Sequence, residues 1–284
     1  MNASETNNAL GRNNTRRAGQ GDAEAPFITR PAMSDGPRTA PERKNMASGS
    51  LNALLANKLL AALPGEDFAH LLPHLEPVTL VAGAELYQFN SGIHFAYFPE
   101  TAVISQLHIL GDGNTAEAAM IGREGVVGLS AVFNAPQPNY LTRVLIAGSA
   151  LKIGIETLKR EFGRGRVLQQ VLLAYTGARM AQLSQRAVCS GRHKLGARLC
   201  CWLLLLQDRA GEDPLKLTHD VIAAHLGMRR AGITEHANAL RDADVISYSR
   251  GLLRVLDRQR LEAAACECYQ MVGRPAPQAI GGTT

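Results

Sequence analysis

The chain has 284 residues, 46% hydrophobic, 19% charged and 5% aromatic, enough for two domains of ordinary size. Its longest apolar run is the eight residues Leu199–Leu206. A membrane helix takes about 20, so no membrane partner is expected, and the N-terminus lacks the apolar stretch of a secretion signal. Five cysteines stand at 189, 200, 201, 266 and 268. Odd in number and without a C-x-x-C pair, they argue against a disulfide scaffold or a zinc ribbon and suit a reducing cytoplasm. No metal site and no cofactor are expected.

The net charge of +5 is concentrated in one segment. Residues 186–260 hold 13 Lys/Arg against 8 Asp/Glu, and the rest of the chain holds 17 of each. A local basic excess points to a polyanionic partner, most often a nucleic acid.

Residues 1–50 are rich in Asn, Gly, Ser, Thr, Ala, Pro and Arg. Such a segment cannot bury enough apolar surface to offset its ordering entropy and is expected to be a disordered tail. Leu51, Leu54, Leu55, Leu59 and Leu63 then recur at helical spacing until Pro64-Gly65 interrupts them. From 76 to 155 short β-type stretches follow one another: Val78–Val81, Glu85–Phe89, His94–Phe98, Val103–Leu107, Ala116–Met120 and Arg143–Ile146. Turn residues separate them, which predicts an antiparallel sandwich or barrel.

Residues 156–189 return to helical periodicity. Val167, Val171, Ala174, Ala178 and Ala181 form a coiled-coil-like seam, and Leu168, Leu172 and Tyr175 widen the apolar stripe. One helix cannot bury two stripes alone. We expect one to pack on the β-domain and the seam to pack on a second copy, as a homodimer. Arg192–Gln207 reads as another helix, and Asp208–Pro214 as a polar loop.

The most informative stretch is Leu217–Ile246. Thr218 is a good N-cap, and Ile222 and Leu226 lie one turn apart on the helix it opens. Ala223 is small enough to let a second helix approach, and Gly227 permits a left-handed turn. In the second helix Ile233, Ala237 and Leu240 form the buried face, leaving Arg230, Thr234, Asn238 and Arg241 opposite with Glu235 beside them. This pattern predicts a helix-turn-helix. Val245–Ser249 and Leu252–Leu256, joined by Arg250-Gly251, predict a hairpin wing with a basic tip. Arg reads the guanine edge of the major groove and Glu accepts from cytosine. Arg230, Thr234, Glu235 and Asn238 are therefore the candidate base contacts on double-stranded DNA. Thr218, Arg229 and Arg250 are the candidate phosphate contacts.

At these residues the chain resembles bacterial regulators of the cyclic-AMP receptor protein/fumarate–nitrate reduction regulator (Crp/Fnr) family. The resemblance spans about residues 51–270. It rests on Leu217-Thr218, Ala223, Leu226-Gly227, Ile233, Leu240, Ile246, Gly251 and Leu256-Asp257, and on Tyr97–Glu100, Gly111-Asp112-Gly113 and Ile121–Leu129. It implies an α+β chain: an N-terminal antiparallel β jelly roll like a cyclic-nucleotide-binding domain over 51–160, a dimerisation helix over 161–189 and a winged helix-turn-helix over 190–270. A tail is expected over 271–284. It also implies a cytoplasmic transcription regulator working on an inverted-repeat operator, with RNA polymerase as a further partner. Members that bind cyclic nucleotides carry a Glu after Phe-Gly and a downstream Arg. Here Gly128 matches the Gly, Leu129 stands in place of the Glu, and Leu141 or a neighbour stands in place of the Arg, with Arg143 two residues on. Gly128, Leu129, Leu141 and Arg143 thus mark the candidate effector pocket, with the effector unidentified and cyclic AMP not expected. Iron–sulfur members carry cysteines near the N-terminus, and this chain has none before Cys189.

An enzyme finds less support. His94 and His108 are isolated, Pro73 interrupts any helix that would pair His70 with His74, and no Gly-x-Ser-x-Gly elbow or P-loop occurs. The live alternatives are a regulator that binds DNA unaided and a sensor whose DNA binding requires a small ligand in the roll.

Overall fold

The structure, a computed structural model, describes residues 56–135, 138–211 and 214–272, all within one compact unit. Leu51, Leu54, Leu55 and the expected tail over 1–50 lie outside the described residues, as do residues 273–284 of the expected C-terminal tail. Two short helices come first, α1 (Lys58–Ala61) and α2 (Gly65–Leu71). The buried Asn57 caps α1 by accepting from the amides of Leu59 and Leu60. Its own side-chain amide donates to the carbonyls of Pro99 and Gly125, so one side chain both starts the helix and fixes it to the strands.

Seven strands follow: β1 (Glu76–Leu80), β2 (Glu85–Tyr87), β3 (Phe95–Pro99), β4 (Val103–Ile109), β5 (Thr115–Ile121), β6 (Leu141–Ile146) and β7 (Gly148–Gly154), with the short α3 (Leu129–Val132) after β5. They form two antiparallel sheets, ordered β1-β7-β3 and β2-β6-β4-β5. Leu80, Tyr87, Ala102, Ile104, Ile121, Val144 and Ala150 fill the space between them. This is the antiparallel sandwich that the spacing predicts. The central strand β7 was not among the expected ones, because Gly148, Ser149, Lys152 and Gly154 blur its alternation. The chain leaves one sheet at Ile146 and enters the other at Gly148. A Cβ there would run into the backbone of Thr101 and Ala102, so the crossing requires glycine.

Each sheet also has a covered outer face. Ala96, Phe98, Leu151 and Ile153 pack with α1, α2, α4 (Ile155–Gly163) and the first turns of α5 (Val167–Arg192). Val103, Met120 and Leu145 from the other sheet share a core with α6 (Leu195–Ala210) and the C-terminal elements. The single helical run expected over 156–189 is therefore two helices, parted at Gly165, where φ is +69°. The helix expected from Arg192 starts at Leu195.

The remaining elements are β8 (Leu215–Lys216), α7 (His219–Leu226), α8 (Arg230–Asp242), β9 (Ile246–Ser249), β10 (Leu252–Val255), α9 (Arg258–Ala264) and α10 (Cys268–Val272). The sheet β8-β10-β9 is antiparallel. Met271 and Val272, expected in the tail, close α10.

The seam on α5 needs one correction. Val171 is only 5% exposed and packs with Leu168, Leu172 and Tyr175 into the chain's own core. Val167 and Ala178 are half-buried. The apolar stripe left in solvent runs through Leu173, Gly177, Met180, Ser184 and Val188, with Ala174 and Ala181 beside it. With two stripes on one helix, spacing alone does not say which of them meets the rest of the chain.

Candidate nucleic-acid interface

Thr218 opens α7 with an extended backbone and its hydroxyl accepts from the Val221 amide at 3.2 Å. Gly227 ends α7 at φ +63°, the left-handed cap that glycine adopts without strain. Ile233 and Ala237 are the buried residues of α8 and Leu240 packs beside that core, so the face opposite is turned outward. Arg230 and Glu235 are exposed, and Thr234 and Asn238 half-buried. Gly232 sits where a Cβ would touch Leu195 Cδ2 at 3.0 Å. It lets α6 approach α8 closely, a packing reason that the sequence does not show.

Arg230 Nε lies 3.4 Å from Asp220 Oδ1, and both side chains are about two-thirds exposed. Such a pair is weak in water and leaves the guanidinium available to a stronger partner. The Thr234 hydroxyl is 2.9 Å from His219 Nδ1. His219 stacks on Tyr248 with ring centroids 4.4 Å apart and planes 17° apart. The Tyr248 hydroxyl donates to the Leu217 carbonyl at 3.0 Å. A chain of contacts thus ties α8 to the start of α7 and to β9. Burial, and then the neighbouring Arg230, hold the His219 imidazole below its ordinary pKa, so it is neutral at physiological pH. Sequence reading missed His219 and Tyr248, because a polar residue after an N-cap and an aromatic in a short strand carry no distinctive spacing.

The hairpin turn is Arg250-Gly251, with φ at +51° and +76°. Two consecutive left-handed residues make a type I′ turn, which matches the twist of the flanking strands. Arginine is an unusual choice at the first position, where Asn or Gly is favoured.

The candidate effector pocket differs from expectation. A cavity of about 230 Å³ lies between the strands and α5, lined among others by Gln106, Gly128, Leu129, Tyr140, Tyr175 and Arg179. Gly128 and Leu129 are in it. Leu141 and Arg143 are not among its lining residues: Leu141 is buried within β6, and Arg143 pairs with Glu85 at 2.8 Å on the neighbouring strand. The cation of the cavity is Arg179, from α5. Its Nη1 donates to the Met120 carbonyl and to Gln182, and its Nη2 is buried without a hydrogen-bond partner.

A second polar cluster joins the strands to the C-terminal elements. Glu117 of β5 is fully buried. It accepts from the Ser105 hydroxyl at 2.6 Å and the Trp202 indole at 3.1 Å, and it pairs with Arg186 of α5 at 2.7 Å. His225 of α7 approaches to 3.8 Å. Burial pushes the Glu117 pKa up. Arg186, His225 and the two hydrogen bonds more than reverse this, and the carboxyl sits below its ordinary value.

Among the described residues, no helix is long and apolar enough to cross a membrane. Residues 197–264 match the Crp-like helix-turn-helix domain family. No curated protein matches the chain. Three similar solved structures are FixK2 from Bradyrhizobium japonicum (TM-score 0.59, 17% identity, covering 68% of this chain and 98% of that one), the c-di-GMP responsive global regulator CLP from Xanthomonas campestris (0.57, 12%, 68% and 99%) and a Crp/Fnr-family transcriptional regulator from Thermus thermophilus (0.54, 20%, 70% and 100%). At these identities the structural likeness carries the fold, and the domain match carries the DNA-binding class. Residues 197–264 thus form a Crp-like helix-turn-helix domain, and the fold of the chain is similar to that of Crp/Fnr-type transcription regulators.

Proposed function

We propose that the chain is a homodimeric, sequence-specific regulator that binds an inverted-repeat operator without requiring a cyclic nucleotide. In this reading residues 51–160 are the sensing half, 161–189 carry the dimer helix and 190–270 bind DNA. The observation that carries it is α8, buried on one side by Ile233 and Ala237 and presenting Arg230 and Glu235 on the other. Two such helices on a twofold axis reach successive major grooves, about 34 Å apart. Selection of fragments from random duplex DNA by the ligand-free protein tests it. An enriched inverted repeat is the expected result; binding without sequence preference overturns it.

Arg230→Ala is expected to weaken operator binding by about 1–3 kcal/mol and to relax preference at one base pair per half-site. Equal loss on all sequences would make Arg230 a phosphate contact. For Arg250 the left-handed backbone separates folding from binding. A non-glycine residue there costs about 1–3 kcal/mol, and Asn tolerates it better. Arg250→Asn is therefore expected to melt no lower than the parent while binding all DNA more weakly, with the salt slope reduced by about 1. A change in sequence preference would contradict a phosphate role.

A second reading, in which DNA binding waits on a ligand, is favoured by Arg179. A buried guanidinium nitrogen without a partner on the wall of a cavity suits a small anion. Selection that succeeds only after an anionic effector is added would support it.

A further inference from the structure

Far from the recognition helix, four side chains converge at the end of α5. Cys189 lies in its last turn and His193 caps it four residues later. Cys266 follows α9 and Cys268 begins α10. Their ligand atoms all lie within 4.8 Å of one another. Cys189 Sγ is 3.6 Å from Cys266 Sγ, and Cys268 Sγ is 3.4 Å from His193 Nδ1. Zinc–sulfur bonds of about 2.3 Å and zinc–nitrogen bonds of about 2.0–2.1 Å at tetrahedral angles put ligand atoms roughly 3.5–3.8 Å apart. The cluster is thus a small contraction or rotation away from that figure. All three cysteines are buried.

The surroundings follow the same logic. Metal-bound histidines hand their other ring nitrogen to a carboxylate or carbonyl. Here His193 Nε2 is 3.1 Å from Glu267 Oε1, and Glu267 lies in sequence between Cys266 and Cys268. The Gln185 side chain donates to Cys268 Sγ at 3.1 Å. A cavity of about 50 Å³ reaches Cys189 and Cys268 between Arg186, Arg198 and Trp202. It supplies an approach for an ion and positive charge near a centre whose three thiolates would exceed the charge of a divalent metal. The absence of a C-x-x-C pair hid this set from the sequence: two ligands come from a helix end and two from a C-x-C some 75 residues on.

We propose that Cys189, His193, Cys266 and Cys268 bind one zinc-class divalent cation in a tetrahedral three-sulfur, one-nitrogen site. It would lock the end of α5 to the segment joining α9 and α10. Cys201 packs beside the cluster but is not one of the four.

The test is anaerobic titration of reduced, chelator-treated full-length protein with Co(II), then Zn(II). The folded parent is expected to take one Co(II) per chain, with thiolate charge-transfer absorption and the intense visible bands of tetrahedral cobalt, both lost on adding Zn(II). Cys268→Ser and His193→Ala are expected to lower affinity by about 100-fold or more, and Glu267→Gln by about 10–100-fold. Cys201→Ser is expected to leave it unchanged. Circular dichroism checks each variant for folding, and the parent's spectrum decides the matter should the cysteine variant unfold. Sub-stoichiometric uptake, a weak octahedral spectrum, undiminished binding by folded Cys268→Ser, or a Cys189–Cys266 disulfide in the protein as purified overturns the site.

Discussion

Glu117→Ala is expected to destabilise the protein by about 3–5 kcal/mol, the cost of removing one partner from a buried charge network. The carboxylate is the shared acceptor of Arg186, Trp202 and Ser105, with His225 close by. Without it the Trp202 indole and the Ser105 hydroxyl lose their acceptor and Arg186 loses its counter-charge beside an apolar core. Glu117→Gln keeps the shape and drops the charge, and is expected to lose less. The carboxyl's pKa is lower in the folded chain than its ordinary value. Its contribution is therefore fully present above the ordinary carboxylate range and is lost as pH falls through the depressed folded value. Chemical denaturation of parent and Glu117→Gln across that acidic range checks the sign. The parent should lose stability on acidification more steeply than the variant; parallel curves would show that the network does not depend on the charge.

If the chain forms the homodimer proposed above, Leu173→Asp is expected to abolish it and, with it, to weaken binding to the proposed two-half-site operator by roughly 10²–10⁴, the gain that a linked second site supplies. Leu173 is 51% exposed on the solvent stripe of α5, in line with Gly177, Met180 and Ser184. In the proposed dimer, the small residues among them would let two α5 helices approach closely. The informative comparison is Val171→Asp, two residues away. Val171 belongs to the chain's own core, so a carboxylate there should lower the melting temperature. Analytical ultracentrifugation separates the two: a folded monomer for Leu173→Asp, a less stable protein for Val171→Asp. A folded dimer of Leu173→Asp would move the interface elsewhere.

The contrast between those two residues marks how far the sequence could be read. The α8 helix, the Thr218 cap of α7, the Gly227 turn and the Arg250-Gly251 hairpin are local patterns. Each depends on a few adjacent residues, and each is where the spacing puts it. The division of α5 into an inward and an outward stripe depends on what the rest of the chain presents to it, which periodicity does not encode. The same holds for β7, whose partners β1 and β3 precede it by some 50–75 residues in the chain. The resemblance makes Arg143 a pocket candidate, yet Glu85 on the adjacent strand pairs with it. Arg179, which does line the cavity, sits on a helix that offered no reason to look for a ligand. Glu117 was passed over as one polar residue in a strand of small ones, since its four partners come from four other elements.

The core shared by Val103, Met120 and Leu145 with α6 and the C-terminal elements, closed over Glu117, has a consequence for how the chain comes apart. Two domains joined by a mere linker melt in two steps, each with its own midpoint. Here cutting the chain between α5 and α6 would strand a carboxylate on one piece and its indole and imidazole partners on the other, and would bare apolar surface on both. The described residues should therefore unfold as one cooperative transition, with calorimetric and van't Hoff enthalpies equal. Neither half should be soluble when expressed without the other.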